Sequence, residues 1–157
     1  MRTHVAVSIL ILALTALIYA QTRNFEFVNF DDAAYIYDNP QVYDGLTPET
    51  LKWAFTTNYF ANWIPLTWIS YLIDVSLFDF NPGAFHLENA LWHGLNGVLL
   101  YLGMLLYTKR RSLSIFVALL FILHPMHVES VAWISERKDV LSTDRKSTRL
   151  NSSHVVI

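Results

Sequence analysis

The sequence contains no cysteine, and only 15% of its 157 residues are charged. The first absence excludes a disulfide framework, a cysteine zinc site and a thiol nucleophile, although it does not fix the compartment. Bases are scarcest in residues 21–85, where Arg23 and Lys52 face Glu26, Asp31, Asp32, Asp38, Asp44, Glu49, Asp74 and Asp79. So acidic a stretch argues against nucleic acid as a partner. What the chain has instead is apolar mass: 54% hydrophobic residues and a mean hydropathy of +0.32, gathered in runs rather than spread evenly. It reads as an all-α integral membrane protein.

Residues 5–20 form an apolar run of sixteen between Arg2 and Arg23. An uncleaved first span over about residues 4–21 suits the later apolar segments, and a cleaved signal peptide ending near Ala20 is the alternative. Directly after it, Phe25-Glu-Phe-Val-Asn-Phe-Asp-Asp32 carries two adjacent carboxylates behind an aromatic run. Asp31 and Asp32 then lie close to the headgroups, and their mutual repulsion favours one of them holding its proton. The alternative is a solvated turn in which Asp caps a backbone group.

The remainder of a loop over about residues 22–84 is punctuated by proline. Asn39-Pro40 favours a turn, and Thr47-Pro48-Glu49 is a helix start with Thr47 as N-cap, running to about Thr57. A second aromatic stretch comes next over residues 59–68, and Pro65 opens a helix to Phe78 around Asp74. Tryptophan and tyrosine favour the bilayer–water boundary, so these segments are expected as interfacial helices. The alternative is a soluble aromatic core.

A second span is expected over about residues 85–107. His86, Asn89, His93 and Asn96 recur at steps of three, four and three, so they form one polar stripe on it. Such groups at membrane depth face a site or a partner helix, and both readings stay open. Lys109-Arg110-Arg111 then makes a basic loop, cytoplasmic by the positive-inside rule, which places residues 22–84 on the extracytoplasmic side. A third apolar segment over about residues 112–124 is too short to cross alone. It is expected to be extended by the residues after it or to end in a protein-lined cavity. It delivers His124, His127 and Glu129 to the side of Asp31 and Asp32. Residues 127–139 read as a short amphipathic helix that leaves Arg137 and Lys138 at the outer surface. A basic pair there calls for an anion such as phosphate, or else a surface ion pair with Glu136 or Asp139.

From Thr143 the chain loses apolar periodicity, and residues 143–157 read as a disordered tail. That tail also resembles translated sequencing-adaptor sequence, so it is expected to be non-native and its Asn151-Ser-Ser sequon carries no weight.

Taken together, residues 27–32 (FVNFDD), 62–68 (NWIPLTW), His86-Leu-Glu-Asn with His93, and residues 124–139 (HPMHVESVAWISERKD) resemble the N-terminal part of the transmembrane and tetratricopeptide-repeat family. The likeness covers residues 1–142. It implies a multi-span glycosyltransferase that takes a sugar from a polyprenyl-phosphate carrier and passes it to a protein or glycan hydroxyl on the extracytoplasmic side. A bacterial inner-membrane member is the expectation. The family continues with further spans and a repeat array, so this chain is expected to be a fragment, inactive by itself.

In that superfamily an acid of the first extracytoplasmic loop is the catalytic base, which the resemblance carries to Asp31 or Asp32. A carboxylate there can take the acceptor hydroxyl's proton as it attacks the anomeric carbon. Arg137 and Lys138, with His124 or His127, could neutralise the departing lipid phosphate, and His86, His93 and Glu129 complete the expected substrate-binding set. Two other classes stay open. His124 and His127 with the two aspartates could ligate a divalent cation in a membrane hydrolase, although Pro125 spoils the spacing of a helical histidine pair. A non-catalytic scaffold would use the polar stripe only to pack helices.

Overall fold

Proline sets where four of the helices begin, at Pro40, Pro48, Pro65 and Pro82. Its missing N–H is no loss in a first helical turn, and its fixed φ already suits the helix. The computed structural model describes residues 2–141, and no strand occurs among them. The helices are α1 (Arg2–Tyr19), α2 (Pro40–Tyr43), α3 (Pro48–Thr56), α4 (Pro65–Phe78), α5 (Pro82–Thr108), α6 (Arg111–Leu123), α7 (Val128–Ala132) and α8 (Arg137–Leu141). Shorter helical turns join them. The expected tail over residues 143–157 lies outside the described residues.

Helices α1, α5 and α6 form one bundle, with Val7, Ile11, Tyr101, Ala118 and Ile122 buried between them. Close approach needs Gly97: a Cβ there would stand 2.5 Å from Ile122 Cγ2 and 3.1 Å from Ile11 Cγ2. The outward faces stay apolar, with Leu17, Leu99, Leu106 and Phe116 exposed. Two stretches, Thr3–Asn24 and Pro82–Thr108, are long and apolar enough to cross a membrane. At 27 residues α5 is about 40 Å long, enough to span with some tilt. Helix α6 is short, as expected, and Pro125–Ala132 continues it after a bend of 49°, so the pair makes at most one broken span. Among the described residues the chain is therefore all-α, with two candidate membrane spans or up to three.

The loop between α1 and α5 has a core of its own. Trp68 is fully buried, stacked on Tyr35 at 5.2 Å between ring centroids and packed against Trp53 at 5.0 Å, with Tyr59 and Tyr71 edge-on. The aromatic stretches thus supply a core, while Phe55, Trp63 and Leu66 keep their faces exposed. Thr47 caps α3 as its position suggests, and the reciprocal bond comes from Thr50, whose hydroxyl accepts the Thr47 N–H. The aromatic core meets the chain's later part through Tyr71, whose hydroxyl donates to the Ile134 carbonyl at 2.9 Å.

Residues 127–139 depart from the single amphipathic helix expected of them. Trp133 adopts an extended conformation (φ −99°, ψ 122°) and separates α7 from a tight turn over Ile134–Glu136 that leads into α8. The Trp133 carbonyl accepts both a 3.1 Å bond from Asn89 Nδ2 of α5 and, in the turn that follows, the Glu136 N–H at 3.2 Å.

Candidate functional site

The two adjacent aspartates part company in the fold. Asp32 is fully buried. Its Oδ2 accepts the Val28 N–H at 2.9 Å, which closes the turn that carries the pair. Its Oδ1 accepts both the N–H of Ser135, at 3.0 Å, and the Ser135 hydroxyl, 103 residues along the chain. Asp31 is only half-buried. It sits directly after Phe30, which with Phe25, Val28, Val128, Glu129, Ala132 and Trp133 lines an open apolar groove of about 390 Å³. Asp32 thus anchors the loop, while Asp31 stays half-buried directly after a groove-lining residue.

Arg137 corrects the expectation of a basic pair at the outer surface. It is completely buried. Its Nη1 lies 2.6 Å from Asp74 Oδ2 and 3.2 Å from Glu88 Oε2 and donates to Ser70 Oγ at 3.1 Å. Nε donates to Asn89 Oδ1 at 2.6 Å, Nη2 to the Phe85 carbonyl at 3.0 Å, and the guanidinium lies 4.7 Å from the Tyr71 ring centroid. Burial pulls the guanidinium below its ordinary pKa, and Tyr71 and Glu88 work against that pull. The physical reason for the inward turn is Asp74, a carboxylate on the apolar helix α4 that would be costly to bury without a cation. Arg137 is therefore a keystone joining α4, α5 and α8. A phosphate could reach it only by displacing these partners.

Lys138 is largely covered as well. Its Nζ pairs with Glu136 at 2.8 Å, donates to the Ser135 carbonyl at 3.3 Å and lies 5.5 Å from the Tyr35 ring centroid. It also lines a second groove of about 390 Å³ with Phe55, Trp63, Ile64, Pro65, Leu66, Thr67 and Leu141, apolar apart from the ammonium and Thr67.

The polar stripe on α5 is divided in the same way. Asn89 and Asn96 hold the last segment down, through the Trp133 carbonyl and through that of Val140 at 2.6 Å. His86 packs edge-on to Phe25, with 5.9 Å between ring centroids. His93 lies 5.7 Å from Tyr19 and 5.2 Å from His127, next to Phe121. His124 is exposed and accepts the Met126 N–H on its Nδ1, which caps the turn after α6. Glu129 is exposed beside the first groove. Among the described residues no group of three or more His, Asp or Glu side chains is arranged to hold a metal ion. His124 and His127 thus do not gather with the aspartates.

The fold brings together Asp32 with Ser135, and His93 with His127. It leaves Arg137 away from any surface. Ser135, Asp74 and Glu88 carry the connections and were not singled out from the sequence. For Asp74 a signal was present, a lone charge between Ile73 and Val75; Ser135 gives none, because its partner is fixed only by the fold.

No family model matches the chain, and no solved structure does. Mouse protein O-mannosyl-transferase TMTC1 is 36% identical over 140 residues, covering 82% of this chain and 14% of the mouse protein. The chain is homologous to this transferase. Human protein O-mannosyl-transferase TMTC1 is 34% identical over 140 residues, and mouse protein O-mannosyl-transferase TMTC3 is 30% identical over 144, with 82% and 85% of this chain covered. The chain spans only 14–15% of the length of these relatives. They are mammalian proteins, which gives no support to a bacterial source or a bacterial inner membrane.

Proposed function

We propose that this chain is a membrane segment of a protein O-mannosyltransferase of the transmembrane and tetratricopeptide-repeat family, with Asp31 as the catalytic base. The observation that carries the reading is the similarity to O-mannosyl-transferases over more than four-fifths of the chain. Asp31 is the better candidate because Asp32 already accepts three hydrogen bonds in a buried setting, whereas Asp31 is half-buried and directly follows Phe30 of the first groove.

The acceptor is a protein hydroxyl and the donor a sugar on a polyprenyl phosphate. As the hydroxyl oxygen bonds to the anomeric carbon, the bond from that carbon to the phosphate oxygen breaks. Asp31 takes the hydroxyl proton, and polyprenyl phosphate departs with the electron pair. A positioned base contributes about 10²–10⁴-fold to such a step. The departing phosphate calls for a cation. Lys138, at one side of an apolar groove suited to a prenyl chain, fits that task better than Arg137 with its buried partners. The site faces the extracytoplasmic side.

The test is transfer by the complete protein in membrane vesicles, given a mannosyl polyprenyl phosphate and a peptide with serine and threonine hydroxyls. The reading expects mannosyl peptide from the wild type. Failure to transfer mannose from any polyprenyl-phosphate donor overturns it.

A further inference from the structure

Ser135 is fully buried, and each of its three polar groups is engaged. Its N–H and hydroxyl both donate to Asp32 Oδ1, and its carbonyl accepts from Lys138 Nζ at 3.3 Å. Asp32 in turn holds the Val28 N–H, so the turn that presents Asp31 is closed by the carboxylate that Ser135 grips. On its other side Ser135 is two residues from Arg137, which is tied to α4 and α5 by Asp74, Glu88 and Asn89. One side chain and its peptide groups thus connect the acidic loop, the groove-lining ammonium and the two helices that support them.

We propose that Ser135 is a positioning residue for sugar transfer, acting through Asp32 to hold Asp31 and through its carbonyl to hold Lys138. This rests on the reading of the site as a transferase with Asp31 as base. A base beside the first groove and a cation on the second can serve one anomeric carbon only at a fixed separation, and the ring contacts of Phe25, Phe27 and Phe30 hold the loop without tying Asp31 to Lys138. Most of residues 22–32 lies exposed, and Asp32 is the buried anchor near its end. Bonds to a charged carboxylate are stronger than neutral ones, which suits the Ser135–Asp32 contact to that duty. Displacing a reacting group by about 1 Å can cost about 100-fold in rate.

The test is a double-mutant cycle in the full-length protein, reading kcat and KM for mannosyl transfer from mannosyl polyprenyl phosphate to a serine/threonine peptide at matched amounts of inserted protein. Ser135→Ala should lower kcat by up to about 100-fold and leave KM for the peptide nearly unchanged. Ser135→Thr, which keeps the hydroxyl, should recover part of the loss. Added to Asp32→Asn, Ser135→Ala should cost little more, because both remove one contact. A Ser135→Ala enzyme with wild-type kcat, while Asp31→Asn is inactive, overturns the positioning role and leaves the transferase reading intact. Additive losses in the double variant overturn the path through Asp32. Full activity in Asp31→Asn removes the base assignment and the positioning role with it.

Discussion

Arg137 and Asp74, 63 residues apart, meet at 2.6 Å with neither side chain more than 1% exposed. The pair fastens the last described segment to α4, and Glu88, Asn89 and the Phe85 carbonyl fasten the same guanidinium to α5. The positioning proposed for Asp31 depends on the residues just before α8, because Ser135 lies among them.

Removing one partner of this pair strands the other's charge. Arg137→Ala should destabilise the protein by about 3–5 kcal/mol, whereas Arg137→Met combined with Asp74→Leu should cost less than the sum of the two single changes. Thermal unfolding of the detergent-solubilised protein reads both, and strict additivity would show that the ion pair is not the joint.

The three-helix crossing makes a separate prediction. Gly97→Ala forces Ile122 and Ile11 apart and should cost about 1–3 kcal/mol. Gly103→Ala, on the same helix but with nothing within 4 Å of the added carbon, should be neutral or slightly stabilising in the 157-residue chain. Equal effects at the two sites in a thermal melt would mean that the helices do not cross at Gly97.

Much of this architecture was readable in the sequence, and the part that was not has a common cause. Local signals worked: Pro48 behind Thr47 and Pro65 open helices where the residues themselves disfavour alternatives, and the stripe of His86, Asn89, His93 and Asn96 does face the rest of the protein. Partner choice was not local. Arg137 reads as a surface cation by composition, yet Asp74 draws it inward from 63 positions away. Residues 127–139 have the period of one helix, yet the chain turns extended at Trp133, whose carbonyl meets Asn89 of α5, 44 positions away. The aspartates at 31 and 32 are indistinguishable as letters, and the contact with Ser135, 103 positions on from Asp32, is what marks Asp32 as the buried anchor beside a half-buried neighbour.

Sidedness is open to direct labelling because the chain has no cysteine of its own. Asn58 and Arg110 are both exposed, one in the loop after α3 and one in the turn between α5 and α6. In intact cells an impermeant thiol reagent should modify Asn58→Cys and spare Arg110→Cys, as expected if Lys109, Arg110 and Arg111 are cytoplasmic. The reverse pattern would put the acidic loop on the wrong side for an extracytoplasmic reaction.

The most direct measurement compares Asp31→Asn and Asp32→Asn in the complete protein, at equal levels of inserted protein and with donor binding measured alongside transfer. If Asp31 is the base, Asp31→Asn should lower mannosyl transfer by about 10²–10⁴-fold with donor binding and thermal stability near wild type. Asp32→Asn should lower stability as well as rate, since it loosens a buried anchor. Near-normal transfer by Asp31→Asn, with Asp32→Asn inactive but equally stable, would contradict the account.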